Sequence, residues 1–288
     1  MFLFLLLLSW VKLKSADLCY VVRGLRCSTL GLFRFVIIKD VDLNGSIAIV
    51  GFPGMGLVGK FTAEYFIRNF RSELIGKVIG YGFPSQLLVT KGIGSLITLD
   101  IYHVKINDKK LLIITSATQP TNHWEQHELA EIVTKNLAEK GVKTLFAAAA
   151  FVGDMVTESK TRKIYIASGS EELANKLFKY GAIPINDGVI SGLNGIIVGW
   201  AQLYGIESAC ILGETWRAIV DMGLTDYRAA KTVIEFIAKI LGIKVETKDL
   251  DKNADEVEEN IKKMYAEWLV KARGRREAVE KREVPYTM

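Results

Sequence analysis

Ile49-Val50-Gly51-Phe52-Pro53-Gly54-Met55-Gly56-Leu57-Val58-Gly59 decides the fold. Residues 46–52 (SIAIVGF) form an apolar run of strand length, residues 53–56 are turn-formers, and residues 57–70 place Phe61, Tyr65 and Phe66 among the apolar positions of a helix. Buried strand, glycine loop and amphipathic helix make one βα unit. The same order recurs downstream, which predicts parallel strands with helices on the sheet faces. Residues 77–81 read as a strand, 96–106 and 110–115 as a strand pair joined at Asn107-Asp108, and 124–139 as a helix stopped by Gly141. Residues 144–152 and 163–167 are strand-like, 171–179 helical, and 190–204 an apolar, glycine-laced helix packed close to the sheet, followed by 208–212. Residues 226–241 form a helix ended by Gly242, and the charged stretch 244–252 reads as a linker. No internal repeat is evident.

A last helix is expected from Asn253, where Asn253 and Glu256 match a capping box. Along it Val257, Ile261, Met264, Tyr265, Trp268 and Leu269 share one face, a stripe that either the body or a neighbouring subunit must cover. Residues 271–283 are nearly all charged and lead to Val284-Pro285-Tyr286-Thr287-Met288, the pattern of an exposed helix with a free tip. The expected organisation is an N-terminal extension over residues 1–33, an α/β domain over 34–250, and a C-terminal amphipathic helix with a charged tail over 253–288. Phe2 to Leu8 is about half the apolar length of a membrane span, and the flanks lack the basic start and small-residue cleavage site of a secretory signal. The extension is therefore read as poorly ordered or as an unused upstream start.

Composition narrows the function. Lys+Arg 37 against Asp+Glu 32 leaves a net charge of +5, but Lys12, Lys14, Arg23, Arg26, Arg34 and Lys39 against Asp17 account for that whole excess within residues 1–39. The remainder is neutral, which gives no support for a nucleic-acid binder. Cys19, Cys27 and Cys210 are too few and too far apart for a disulfide framework or a CxxC zinc site, and a cytoplasmic protein fits best.

Several motifs point toward chemistry and stop short of it. Gly54 to Gly59 is a GxGxxG after a strand, where backbone N–H groups can cradle phosphate, but the strand at residues 77–81 lacks the acidic residue a dinucleotide ribose needs. Gly59-Lys60 nearly completes a P-loop, yet Phe61 stands where a Ser or Thr would hold Mg²⁺, and Thr62 is one residue out of place. Asp100 imitates the second acidic motif of such enzymes only loosely. His123 and His127 sit four apart at a helix start, but Glu125 is at the wrong offset for a zincin. No Gly-x-Ser-x-Gly elbow surrounds Ser168 or Ser191. The expectation is no catalytic residue, no metal and no cofactor, with Gly54, Gly56 and Gly59 serving a tight turn and close helix–strand approach. The alternative is a small-ligand or nucleotide site at that turn.

What aligns is the order of six short motifs between about residues 45 and 250: the Ile49–Gly59 stretch with Gly51 and Pro53, then Gly82-Phe83-Pro84, Ala117-Thr118-Gln119-Pro120, Ile190-Ser191-Gly192-Leu193-Asn194-Gly195, Leu212-Gly213-Glu214-Thr215, and Asp226-Tyr227-Arg228-Ala229-Ala230 leading to Leu241-Gly242-Ile243. In this the chain resembles the proteasome assembly chaperone two family, in its archaeal and bacterial branch. The resemblance implies a three-layer α/β/α sandwich similar to the nucleoside phosphorylase architecture, no catalysis, no cofactor, and homo-oligomers that hold proteasome α subunits or the assembled 20S-type core particle, with no nucleic-acid or membrane partner. Some relatives dock through a C-terminal hydrophobic-Tyr-any ending. Here Tyr286 is third from the end, so Val284, Pro285 and Tyr286 depart from that pattern. They form either a docking tip or a frayed terminus.

Overall fold

An unbroken apolar run bounded by glycines is most stable in the middle of a sheet covered on both faces. Residues 47–51 lie in such a place. The computed structural model describes residues 27–28, 31–106, 109–153 and 160–280, and of residues 27–28, Tyr265 and residues 267–280 the backbone alone. Along the chain run β1 (Cys27–Ser28), β2 (Phe33–Ile37), β3 (Ile47–Gly51), a single 3-10 turn (Met55–Leu57), α1 (Val58–Asn69), β4 (Arg71–Gly80), β5 (Leu87–Thr90), β6 (Ile93–Leu96), β7 (Leu99–Ile106) and β8 (Lys109–Ser116). Then follow α2 (His123–Glu139), β9 (Thr144–Val152), β10 (Ile164–Ser168), α3 (Glu171–Phe178), β11 (Ile183–Pro184), α4 (Leu193–Leu203), β12 (Glu207–Thr215), α5 (Arg217–Asp221), α6 (Tyr227–Leu241) and α7 (Lys248–Glu280).

Ten strands form one sheet in the order β1-β2-β4-β7-β8-β3-β9-β12-β10-β11, and β5 and β6 form a separate pair. The centre, β8-β3-β9-β12, is parallel. Alternate residues of these strands feed two separate cores, so each strand is buried on both sides. Ala48 and Val50 join Leu129, Val133 and Leu137 of α2 and Leu193 and Ile197 of α4 on one face. Ile49 joins Phe66 of α1, Leu173 and Leu177 of α3, and Val233 and Ile237 of α6 on the other. The α/β expectation holds, with helices on both faces of a large central sheet. Among the described residues no helix is long and apolar enough to cross a membrane.

The differences from the sequence reading have physical causes. The sheet is not parallel throughout: β4 pairs antiparallel with both β2 and β7, and β7 with β8; only two residues separate β7 from β8, as a hairpin allows, whereas β4 reaches β7 through the β5–β6 excursion and β2 is separated from β4 by β3 and α1. Residues 77–80 are the end of the longer β4, with Tyr81 in the turn that follows, three strands from β3, and are not the second parallel strand of a dinucleotide fold. Leu96 belongs to the β5–β6 pair, not to β7. The last helix starts at Lys248, so Asn253 is an interior residue and residues 248–252 are not linker. Asp249 and Asp251 suit its first turn, where carboxylates meet the positive end of the helix dipole, and Leu250 is buried against the body. A capping box does occur, at the start of α2, between Asn122 and Glu125. Residues 1–26 and the tip residues Val284, Pro285 and Tyr286 lie outside the described residues.

Candidate functional site

Five of the six sequence motifs meet at one corner, beyond the carboxyl ends of the parallel strands. There Gly51 and Gly59 let α1 lie on the sheet backbone to backbone. A Cβ on Gly51 would run into the carbonyl oxygen of Gly59, and one on Gly59 into that of Ala148. Gly56 is left-handed at φ 56°, and a Cβ there would come within 3.1 Å of both Asp226 Cβ and Thr215 Oγ1. Gly54 differs: it is extended at φ −167°, and its Cβ would meet nothing nearer than Asn194 Nδ2 at 3.6 Å.

Side chains from distant motifs tie this turn down. The buried Asn194 accepts from Phe52 N at 2.9 Å and donates to Phe52 O at 3.1 Å, closing both backbone groups of one residue as a neighbouring strand would. Gln119 donates to Pro53 O while its own oxygen accepts from Leu193 N at 2.9 Å. Asp226 caps α6 by accepting from Ala229 N at 2.8 Å, accepts from Thr215 Oγ1 at 2.7 Å, and donates through its backbone N to Gly56 O at 2.8 Å. Gly192 opens α4 at φ 82°, and Gly195 packs against the Ile190 carbonyl. Glu214, buried, accepts from Lys163 N at 3.1 Å. The motif residues Gly51, Pro53, Gly54, Gly56, Gly59, Gly192, Asn194, Gly195 and Glu214 are thus brought to one neighbourhood, most of them in backbone roles.

Between the turn and the start of α4 lies a crevice of about 360 Å³. Its walls are Met55, Phe151, Ile185, Ile190 and Leu212, and among the described residues lining it Asp187 alone is ionisable. None of these described residues is a cation that would neutralise a phosphate. Lys60 points elsewhere, 3.8 Å from Glu64, and Thr62 is fully buried with no hydrogen-bond partner for its hydroxyl, so the P-loop chemistry is not assembled. Asp100 accepts from Lys77 at 2.9 Å and Thr98 at 2.6 Å. Of the histidine pair, His127 Nδ1 accepts from Trp200 Nε1 at 3.1 Å, and His123 begins α2 in an exposed position. Burial lowers the pKa of His103 on β7 and pushes the Cys210 thiol up to about 12, so that thiol stays protonated.

The second candidate region is the root of α7. Leu250 and Ala254 are buried, Val257 half-buried, and Ile261 fully buried against Trp216 and Ile219. Charge adds to the holding. Arg228 of α6, itself buried, donates to Glu258 at 2.8 Å and 3.0 Å and to Asp255 at 2.6 Å. Arg162 donates to Glu258 at 3.0 Å, and Lys231 to Asp251 at 2.6 Å. The guanidinium beside it holds the Asp255 carboxyl below the usual range, and these carboxylates raise the Arg228 pKa. Of the expected stripe, then, Val257 and Ile261 face the body, whereas Met264 is 54% exposed. The side chains of Tyr265, Trp268 and Leu269 lie outside those described. From Ile261 the helix continues to Glu280, roughly 28 Å further at 1.5 Å per residue. Sequence reasoning missed the acids at 251, 255 and 258, which recur every three or four residues beside the apolar stripe.

Comparison with known proteins gives a consistent picture. The model of the PAC2 family matches residues 48–265. An uncharacterised protein of Methanocaldococcus jannaschii is 31% identical over 241 residues, 82% of this chain and 90% of its own. Among solved structures, Pyrococcus furiosus PbaB, described as an archaeal proteasome activator, superposes with a TM-score of 0.74 at 26% identity, over 82% of this chain and 100% of that one. P. furiosus PbaA, described as an archaeal homologue of proteasome-assembly chaperone, shares the fold with a TM-score of 0.67 at 24% identity, over 87% of this chain and 99% of that one.

Proposed function

The chain belongs to the PAC2 family, and from that premise we propose that it is a chaperone-like, non-catalytic protein that binds proteasome α subunits or the assembled core particle in the cytoplasm. The observation that carries the reading is the likeness to PbaB over the whole length of that proteasome activator. Two features of this chain support it. The glycine-turn residues whose pattern imitates a phosphate loop are engaged in building the backbone corner, which leaves a rigid scaffold. From that scaffold a long helix leads away toward the terminus, its root latched and its continuation carrying Tyr265, Trp268 and Leu269 toward a neighbouring subunit or a bound partner. Val284, Pro285 and Tyr286 form the docking tip of that arm: a proline-stiffened apolar end on a charged stalk loses less entropy on binding than a fully flexible one. The protein acts as a homo-oligomer.

The test is a pull-down of the host's proteasome α subunits and core particle by the full chain and by a chain ending at Glu283. Binding that disappears with the last five residues assigns the tip as the docking element. Binding retained by the shorter chain moves the interface to the body. No binding by either overturns the reading, and the crevice beside the glycine turn becomes the next place to look for a ligand, by melting-temperature shifts with neutral small molecules.

A further inference from the structure

The hairpin of β5 and β6 stands apart from the main sheet. Its base is fixed, since Phe83 and Ile97 on either side are buried and Phe83 meets Phe33 edge to face at 5.3 Å. Its turn is preformed: Lys91 and Gly92 are both left-handed, at φ 49° and 81°, as a two-residue I′ hairpin loop requires. Above that base none of the described residues covers it. Every residue of both strands is exposed, with Leu87, Val89, Ile93 and Leu96 at 60, 64, 76 and 71%. The register places Leu87 opposite Leu96 and Thr90 opposite Ile93, so one face carries Leu87, Val89 and Leu96 and the other Leu88 and Ile93. A two-stranded ribbon that is apolar on both faces and open on both edges is only marginally stable in water without added strands or a packed surface.

We infer that this hairpin is the surface through which two copies of the chain associate. The inference rests on the self-association proposed above and adds the surface responsible. Area favours a second copy: the exposed surface of Leu87, Leu88, Val89, Ile93 and Leu96 together with that of Tyr81, itself 81% exposed, is of the order of one partner's share of a standard stable interface, about 800 Å². Shape favours it too. Beside the projecting hairpin is a hollow of about 480 Å³ walled by Ile79, Tyr81, Pro84, Leu87 and Leu96. One patch therefore offers both a ridge and a receiving hollow, the self-complementarity that a two-fold interface needs. The patch carries little charge to select a different partner: Lys91 at the turn is the one charged residue between Tyr81 and Thr98, and Arg34 is the one charged residue among the described residues lining the hollow. The fixed base and preformed turn mean that little ordering entropy is lost on association.

The test is equilibrium sedimentation of the full chain and of two variants, Ile93→Asp and Val89→Asp, with the melting temperature of each. The wild type is expected at a multiple of 32.1 kDa. Each variant is expected to weaken self-association roughly a hundredfold or more, by setting a carboxylate in the apolar interface, with the melting temperature of the dissociated body unchanged. A wild type that sediments as a monomer overturns both this inference and the self-association it rests on. Variants that keep the wild-type mass overturn the hairpin alone and leave self-association standing. Binding of the wild type to phosphatidylcholine vesicles that Ile93→Asp abolishes without changing the mass would assign the hairpin to a lipid surface, and so overturn the inference.

Discussion

The glycine-turn corner and the root of α7 both join distant parts of the chain, by opposite means. At the corner the contacts run backbone to backbone or through buried amides, Gly51 on Gly59, Gly59 on Ala148, Asn194 on Phe52, and its two carboxylates, Asp226 and Glu214, are buried and accept from backbone N–H groups and the Thr215 hydroxyl. At the root a small apolar cluster of Trp216, Ala218, Ile219 and Ile261, with Leu250 and Ala254 buried nearer the start of the helix, is reinforced by Arg228 and its carboxylates, of which Asp251 and Asp255 are 44% and 46% exposed. The corner therefore opens only when the body unfolds. The root can be loosened while the body persists, since partly exposed ion pairs yield to salt and acid.

Five substitutions and one titration can break or sharpen this contrast. The largest effect is expected from Gly59→Ala, which forces a methyl group into the Ala148 carbonyl: about 3 kcal/mol of stability lost in a denaturant titration, against less than about 0.5 kcal/mol for Gly54→Ala. Equal costs at the two glycines would show that close approach is not what holds the corner. Asn194→Ala leaves the N–H and C=O of Phe52 buried without partners, and about 2 kcal/mol should be lost by the same measurement. Arg228→Met comes next, at about 1–2 kcal/mol, below the 3–5 of a fully buried pair because two of its three carboxylates are nearly half exposed. Its signature is faster proteolysis within residues 248–280 with the body intact, and a single cooperative loss of body and helix together would contradict the separation.

Smallest is the acid response of the root. The folded-state pKa of Asp255 lies below its ordinary 3.8, chiefly because Arg228 hydrogen-bonds the carboxylate. A depressed folded value means that the unfolded segment takes up the proton more readily, so the contribution is present above pH 3.8 and is lost as pH falls through and below that value. Amide exchange in α7 should quicken over that window more than in α6, and Asp255→Asn should flatten the response. An unchanged slope in that variant would remove Asp255 from the latch.

Much of the body is legible in the sequence because buried parallel strands and capped helices leave local marks. The apolar runs at residues 46–52 and 144–152, and the stops at Gly141 and Gly242, depend on neighbours close in the chain. What escaped depends on partners far away. Gln119 and Asn194 read as parts of motifs, but their targets at Pro53 and Phe52 are 66 and 142 residues off, so their clamping role has no local signature. Residues 244–252 look like a charged linker because Asp251, in the first turn of α7, finds its cations on α6, as do Asp255 and Glu258 further along. The β5–β6 hairpin left one weak mark, Lys91-Gly92 between two short apolar runs, and its exposure removed the alternation by which a half-buried strand is recognised.

The most direct measurement is native-state hydrogen exchange, resolved by residue, on the protein alone and with the proteasome core particle added. Alone, amides of β3 and α4 should exchange only through global unfolding, while those of residues 248–261 exchange through a smaller opening that salt makes easier. With the core particle, residues 281–288 should gain protection and the glycine-turn corner should not change. Exchange of α7 and the body at a common rate, or new protection centred on the corner, would contradict a rigid scaffold with a separately latched docking arm.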